Sequence, residues 1–189
     1  MEPHVRSLGD LGPRICILGP SNSGKSTLAD AIARTSERTV IYMDQLRFLP
    51  HSDWVERSDA EFFALHEEAI KADSWVADGN FAKCLSRRLE EATGLILLET
   101  SVLTSLWRYL RRSWFENNRL GALGGKRDTV KWEMIRFIAF DAPKSRGRYE
   151  DMFEASNLPK IKLSSQQEMD VFYKVMDLIR WNEGPMSGR

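Results

Sequence analysis

Short apolar runs alternate along this chain with stretches whose apolar residues recur every three or four positions. Ile15-Cys16-Ile17-Leu18 is too short for a helix and runs into a glycine, which predicts a buried strand. From Gly24 to Arg34, Leu28 and Ile32 lie four apart among alanines, which predicts a helix. Thr39-Val40-Ile41-Tyr42-Met43 is a second β-rich run. Ser58 and Glu61 form a Ser-x-x-Glu capping box, opening a helix over 58–71 with Phe62, Leu65 and Ile70 near helical spacing. Trp75-Val76-Ala77 and Gly94-Leu95-Ile96-Leu97-Leu98 read as further strands, separated by a helix over 81–91. Lys160 to Leu163 reads as a fifth strand, and Val171, Val175 and Leu178 mark a closing helix. Strands alternating with helices predict an α/β domain with a mostly parallel sheet.

The interval 101–149 breaks this rhythm. It is rich in Arg and Trp and has Gly121, Gly124 and Gly125 at its centre. It predicts two helices, near 102–115 and 129–140, standing over the sheet as a mobile cap. The expectation is one domain, with a core over about 14–100 and 150–181, a helical lid over about 101–149, and frayed termini. Composition narrows the possibilities. The 189 residues carry 27 Lys+Arg against 27 Asp+Glu, a balance that argues against a generally basic nucleic-acid coat. No apolar run approaches the roughly 18 residues of a membrane span, and the N-terminus lacks the layout of a secretory signal. Cys16 and Cys84 belong to no metal-binding cluster, so two reduced thiols in a cytoplasmic protein are expected.

Gly19-Pro20-Ser21-Asn22-Ser23-Gly24-Lys25-Ser26-Thr27 matches the pattern G-x-x-x-x-G-K-S, between a predicted strand and a predicted helix. Small residues let successive backbone N–H groups turn inward as an anion nest, and the following helix adds its positive end. Lys25 supplies a cation for the outer phosphates and Ser26 a hydroxyl for Mg²⁺. The pattern predicts binding of a nucleoside triphosphate, with ATP the expected co-substrate. Mg²⁺ also calls for an acidic residue at the end of a neighbouring strand. Asp78 is the first candidate, with helix capping as its plainer reading, and Glu99 the second.

Arg108 and Arg112 are four apart, on one face of the first cap helix. Two guanidinium groups there can stack on a base and neutralise a transferring phosphoryl group. Lys126, Arg127 and Arg136 add to the basic character, and Trp107, Tyr109 and Trp114 keep open a nucleic-acid surface, which Glu116, Glu133 and Asp141 dilute. Beyond the second strand, Asp44 suits an acceptor hydroxyl and Arg47 an acceptor phosphate. Trp54 and Trp75 read as packing residues, and His51 and His66 receive no role.

Met43-Asp44-Gln45-Leu46, Trp54-Val55-Glu56-Arg57, Trp75 to Phe81 and the pair Trp107-Arg108 with Arg112 give the chain a resemblance. It resembles the P-loop kinase-like proteins called DNA topology modulation (FlaR-type) proteins, relatives of adenylate kinase. The resemblance implies a three-layer α/β/α P-loop NTPase core with a five-stranded parallel sheet in the order 2-3-1-4-5 and a helical lid insertion. It also implies that Arg108 and Arg112 are the base-stacking and phosphate-binding pair of that lid, and Asn80 an acceptor contact. Asp78 and Gly79 match the adenylate-kinase Asp-Gly-aromatic-Pro-Arg motif. Asn80-Phe81-Ala82-Lys83 replaces the rest, which weakens the case for AMP as acceptor.

Together these readings predict an ATP- and Mg²⁺-dependent phosphotransferase acting on a small molecule such as a nucleotide or nucleoside. The rival expectation is an ATP-dependent regulator acting on DNA topology or on a protein partner. Weak or absent DNA binding at low salt would separate the two.

Overall fold

The computed structural model describes residues 6–52, 54–115, 132–141, 144 and 146–180. Five strands form one all-parallel sheet: β1 (Arg14–Leu18), β2 (Thr39–Tyr42), β3 (Trp75–Asp78), β4 (Gly94–Leu98) and β5 (Lys160–Leu163), in the spatial order β2-β3-β1-β4-β5. Eight helices connect or follow them: α1 (Lys25–Ser36), α2 (Met43–Arg47), α3 (Asp59–Ile70), α4 (Ala82–Glu91), α5 (Val102–Phe115), α6 (Trp132–Arg136), α7 (Arg146–Ala155) and α8 (Gln166–Val175). A π-helical turn, Phe137–Asp141, continues α6.

The continuous apolar runs exist because both faces of the sheet are covered. On β1, Ile15 and Ile17 point into one core layer with Leu28 and Ile32 of α1, Ile96, Leu163 and Phe172 of α8. Cys16 and Leu18 point into the other, with Phe62 and Ile70 of α3, Leu85 of α4 and Phe153 of α7. The result is a three-layer α/β/α sandwich.

Helix boundaries follow local chemistry. At α3 the Ser58 hydroxyl accepts the Glu61 N–H at 3.2 Å, while the Glu61 carboxylate accepts the Ser58 N–H at 3.1 Å, so the capping box forms as expected. At α5 the Ser101 hydroxyl accepts the Thr104 N–H at 3.1 Å. Three expectations need correction. Met43 opens α2 rather than extending β2, because its N–H turns to the Asp78 carboxylate, 3.3 Å away. Residues 146–155 form α7, whose Phe153 is buried, so the sheet's covering helix begins inside the interval assigned to the cap. The N-terminal region is not frayed throughout: a 3₁₀ turn, Leu8–Leu11, buries Leu11 completely, and the Thr93 hydroxyl donates to its carbonyl at 3.0 Å. The glycine-rich centre of the cap and the chain beyond Arg180 lie outside the described residues. No described helix is long and apolar enough to cross a membrane.

Candidate active site

The register brings the carboxyl ends of three strands to one level, with Ile17 and Tyr42 both paired to Asp78. The chain leaves β1 toward β2 on one side, and β4 lies on the other. The cradle therefore opens at the point where the strand order reverses, which is where parallel α/β sheets bind ligands.

The loop from Gly19 to Gly24 is shaped by what its glycines exclude. A Cβ on Gly19, at φ 146°, would meet the Leu98 carbonyl oxygen at 2.5 Å, so the loop presses directly on β4. Gly24, at φ 100°, caps α1, and a Cβ there would meet nothing within 4 Å. That open space at a helix N-terminus suits a phosphate. Lys25 lies on the first turn of α1, and its Nζ donates to the carbonyls of Gly19 at 2.9 Å and Pro20 at 2.7 Å. The Ser23 hydroxyl is buried without a hydrogen-bond partner. Asn80 clamps the loop from β3: its Oδ1 accepts the Gly19 N–H at 3.2 Å and its Nδ2 donates to the Gly19 carbonyl at 2.9 Å. Both ends of the Asn80 amide thus bond Gly19, and Asn80 also lines the cavity.

Asp78 is 6% exposed, at the end of β3. Burial raises its carboxyl above the usual range and the nearby Asp44 adds to this, against hydrogen bonds from the Ser26 hydroxyl and the Met43 N–H and the charge of Lys25. A buried carboxylate bonded to a serine hydroxyl under a phosphate cradle is a pair of hard oxygen donors beside surplus negative charge. Mg²⁺ fits that donor set, since it needs few protein ligands and keeps several waters. Glu99 is differently placed. Burial pushes its carboxyl up, but hydrogen bonds with Glu150, Ser164, Lys162 and Arg146 outweigh this and bring it down to about 2. It pairs with Lys162 at 3.0 Å and Arg146 at 3.3 Å, a structural anchor between β4, β5 and α7.

From α5, Arg108 reaches down to the cradle. Its Nη1 donates to the Ser23 carbonyl at 3.0 Å and its Nη2 to Gln166 Oε1 at 2.7 Å. Burial, and to a lesser degree Arg111, lower the pKa of Arg108. The backbone of Arg112 belongs to α5, and its side chain lies outside the described residues, as do Lys126 and Arg127.

One cavity of about 940 Å³ joins these parts. Ser21 to Thr27, Asp44, Asp78, Asn80 and Arg108 all line it, so one space holds most of the residues singled out from the sequence. Arg47 is not among its walls. Its guanidinium pairs with Glu56 and, at 2.6 Å, with Asp59, and lies 5.4 Å from the Phe62 ring centroid. Two acids and a ring therefore hold it in the loop scaffold, away from the position expected for an acceptor phosphate.

The cavity also has walls that sequence reasoning missed. Gln166, Tyr173 and Arg180 border it from α8 and the segment beyond, with the Arg180 guanidinium 4.4 Å from the Tyr173 ring centroid. Phe48 and Trp54 border it from the loop after α2 and stack edge to face, 5.1 Å apart. Arg88 is wholly buried beneath the β3–α4 loop, with its Nη2 donating to the carbonyls of Gly79 and, at 3.3 Å, Asn80. The only sequence signal for Arg88 is a charge on the inward side of α4.

No family model matches the chain, and no curated protein matches it significantly by sequence. Solved structures do share its fold. A gluconokinase from Sinorhizobium meliloti 1021 superposes with a TM-score of 0.52 at 14% identity, over 88% of this chain and 91% of that one. A shikimate kinase from Acinetobacter baumannii, in complex with shikimate, gives 0.55 at 17% identity, over 88% and 92%. With the sheet order and the strand–cradle–helix unit, these place the fold among the P-loop kinases.

Proposed function

We propose that the protein is a phosphotransferase moving the γ-phosphoryl group of ATP to the hydroxyl of a small molecule. The observation that carries this reading is the single cavity bordered by the phosphate cradle, by Asp78 with Ser26, and by Asp44. A nucleotide switch needs the first two; a carboxylate across the same space gives an acceptor hydroxyl its partner.

In this reading the triphosphate lies along the backbone N–H groups of the loop between Ser21 and Thr27. Lys25 exchanges the Gly19 and Pro20 carbonyls for phosphate oxygens, and Arg108 turns from Ser23 to the transferring group. Ser26 and Asp78 would hold Mg²⁺, which when bound offsets charge on the phosphates. Asp44 orients the acceptor hydroxyl and takes its proton. The acceptor oxygen forms its bond to the γ-phosphorus as the bond to the β–γ bridging oxygen breaks, and ADP leaves with that electron pair. Arg112 and the lid over 101–149 belong to this proposal as further closing elements, and cytoplasmic residence goes with it.

Membership of the FlaR-type group is part of the same proposal. Of the segments that carry the resemblance, Asp44, Trp54, Asp78 to Phe81, and Trp107 with Arg108 border the cavity. The regulatory reading has one observation in its favour: Leu103 and Trp107 of α5 are 78% and 62% exposed. A salt-dependent DNA complex is what it requires.

The test is ADP release from Mg·ATP with a panel of hydroxylated acceptors, with Lys25→Ala as the blank. At least one acceptor should stimulate release well above the acceptor-free rate, and Lys25→Ala should lower it by about a hundredfold or more. Equal rates for wild type and variant throughout the panel would end the proposal.

A further inference from the structure

One stretch of the cavity wall is aromatic. Phe48, Trp54 and Phe81 border it beside Asp44, with Tyr42 at the end of β2. They come from the β2 and β3 ends of the sheet, whereas Gln166, Tyr173 and Arg180 come from beyond β5, at the opposite edge. β2 lies two strands from the cradle-bearing β1, about 10 Å at ordinary strand spacing, so the aromatic wall serves a molecule other than the nucleotide in the cradle. Trp54, at φ 60°, and Phe81, at φ 26°, both occupy backbone conformations that bulky residues rarely adopt. Strain of that kind persists where surrounding structure enforces it, and gathers at ligand sites. Trp54 is braced by Phe48, and Phe81 by Phe62, 5.5 Å away.

The charges on this side are equally selective. Asp44 lines the cavity on this side. The described cations of the segments after β2 and β3 are engaged elsewhere and none of them lines the cavity; the cations that do line it, Lys25, Arg108, Arg111 and Arg180, come from the cradle, α5 and the chain beyond α8. Arg47 is held by Glu56 and Asp59, and Lys83 by Asp59 at 2.5 Å. Arg57 donates to the carbonyls of Gln45 at 2.9 Å, Leu46 at 3.1 Å and Phe48, and Arg88 to those of Gly79 and Asn80. A phosphate or carboxylate on an acceptor lying against this wall would meet the Asp44 carboxylate and, among the described residues, no cation from the wall itself. A flat ring stacking on the aromatics and offering a sugar hydroxyl to Asp44 meets neither obstacle.

We infer that the acceptor is a free nucleoside, bound by Phe48, Trp54 and Phe81, and not a nucleoside monophosphate or a sugar acid. This rests on the phosphotransfer reading and names its substrate class. The phosphoryl group would pass from ATP to a sugar hydroxyl, whose proton goes to Asp44 and then to water, leaving ADP and a nucleoside monophosphate.

The experiment has two readouts on the full chain. Isothermal titration of the Mg·ADP-loaded protein would be run with adenosine, guanosine, cytidine, uridine and thymidine, with each one's 5′-monophosphate, and with shikimate and gluconate. Product formation from Mg·ATP would be followed for the same compounds. At least one nucleoside should bind about tenfold or more tightly than its own monophosphate, about 1.4 kcal/mol, and be phosphorylated. Trp54→Ala should weaken that nucleoside about tenfold, with Mg·ATP affinity measured alongside to establish an intact fold. Transfer that prefers a monophosphate or a sugar acid would overturn the inference and leave phosphotransfer standing. If no nucleoside binds, the inference falls whatever the turnover. Nucleoside binding without transfer would support the pocket and count against the kinase.

Discussion

Asp78 is costly to keep ionised in the folded chain, since burial raises its carboxyl above the usual 3.8. The native state therefore holds its proton to higher pH than the unfolded state does. Above pH 3.8 the group lowers stability as pH rises through its folded value, opposite to most paired carboxylates. Asp78→Asn retains an acceptor for the Met43 N–H and removes the buried charge. The variant should melt at a temperature equal to or above wild type in calorimetry. Its turnover should fall roughly a hundredfold or more, because a bound metal supplies several kcal/mol of charge stabilisation. A variant that melts lower and still turns over would remove Asp78 from the metal site. Asp78, Lys25 and Ser26 are legible in the sequence because strand-end and cradle chemistry fixes their spacing. Arg47 is misread from sequence because its partners, Glu56 and Asp59, are brought to it by a loop whose path no local pattern encodes. Asn80 stands out in the sequence, but its clamp on Gly19 does not, since Gly19 lies 61 residues away along the chain.

At the scale of elements, α4 carries more than an amphipathic stripe. Arg88 projects from it under the β3–α4 loop and ties the carbonyls of Gly79 and Asn80, while Asn80 ties Gly19. A helix on one side of the sheet thus supports the phosphate loop through two side chains. Arg88→Met keeps much of the volume and removes the donors. It should reduce stability in urea titration by about 1–3 kcal/mol, the cost of unpaired buried carbonyls. It should also weaken Mg·ATP binding; unchanged affinity in the folded variant would show that the loop holds its shape alone. The strands, α1, α3 and α5 can be read from periodicity and capping because those signals are local. α2 and α7 escape that reading for a matching reason. Five residues of α2 are too few to show a period, and α7 has a weak apolar stripe that leans on Phe153 alone for burial.

For the molecule as a whole, His66 adds a pH dependence opposite in sign to that of Asp78. It is buried on α3, and burial, then the charge of Arg88, lower its pKa from 6.5 to about 4, with Glu67 opposing and Arg87 adding slightly. Between those values the unfolded chain takes up a proton that the folded chain refuses, so stability is lost as pH falls from about 6.5 toward 4. The loss is at most about 3 kcal/mol over the window. Urea midpoints at pH 7 and pH 5 should show the decline, and His66→Gln should flatten it. An equal slope in the variant would assign the acid sensitivity to other groups.

The sequence by itself determined the alternation of the five strands with their main helices, the parallel α/β class and the glycine-rich loop between β1 and α1. Each depends on residues close together in the chain, where periodicity, capping and glycine spacing are local physics. Tertiary structure decided the rest. The sheet order brings β2, β3 and β1 to one level, so residues from Gly19 to Arg180 meet around one cavity. Whether a charge serves a ligand or the scaffold depends on which opposite charge the fold brings within about 4 Å, where attraction outweighs screening by water. Arg47 and Glu99 found such partners within the scaffold, whereas Asp78 and Asp44 were brought to the wall of the cavity.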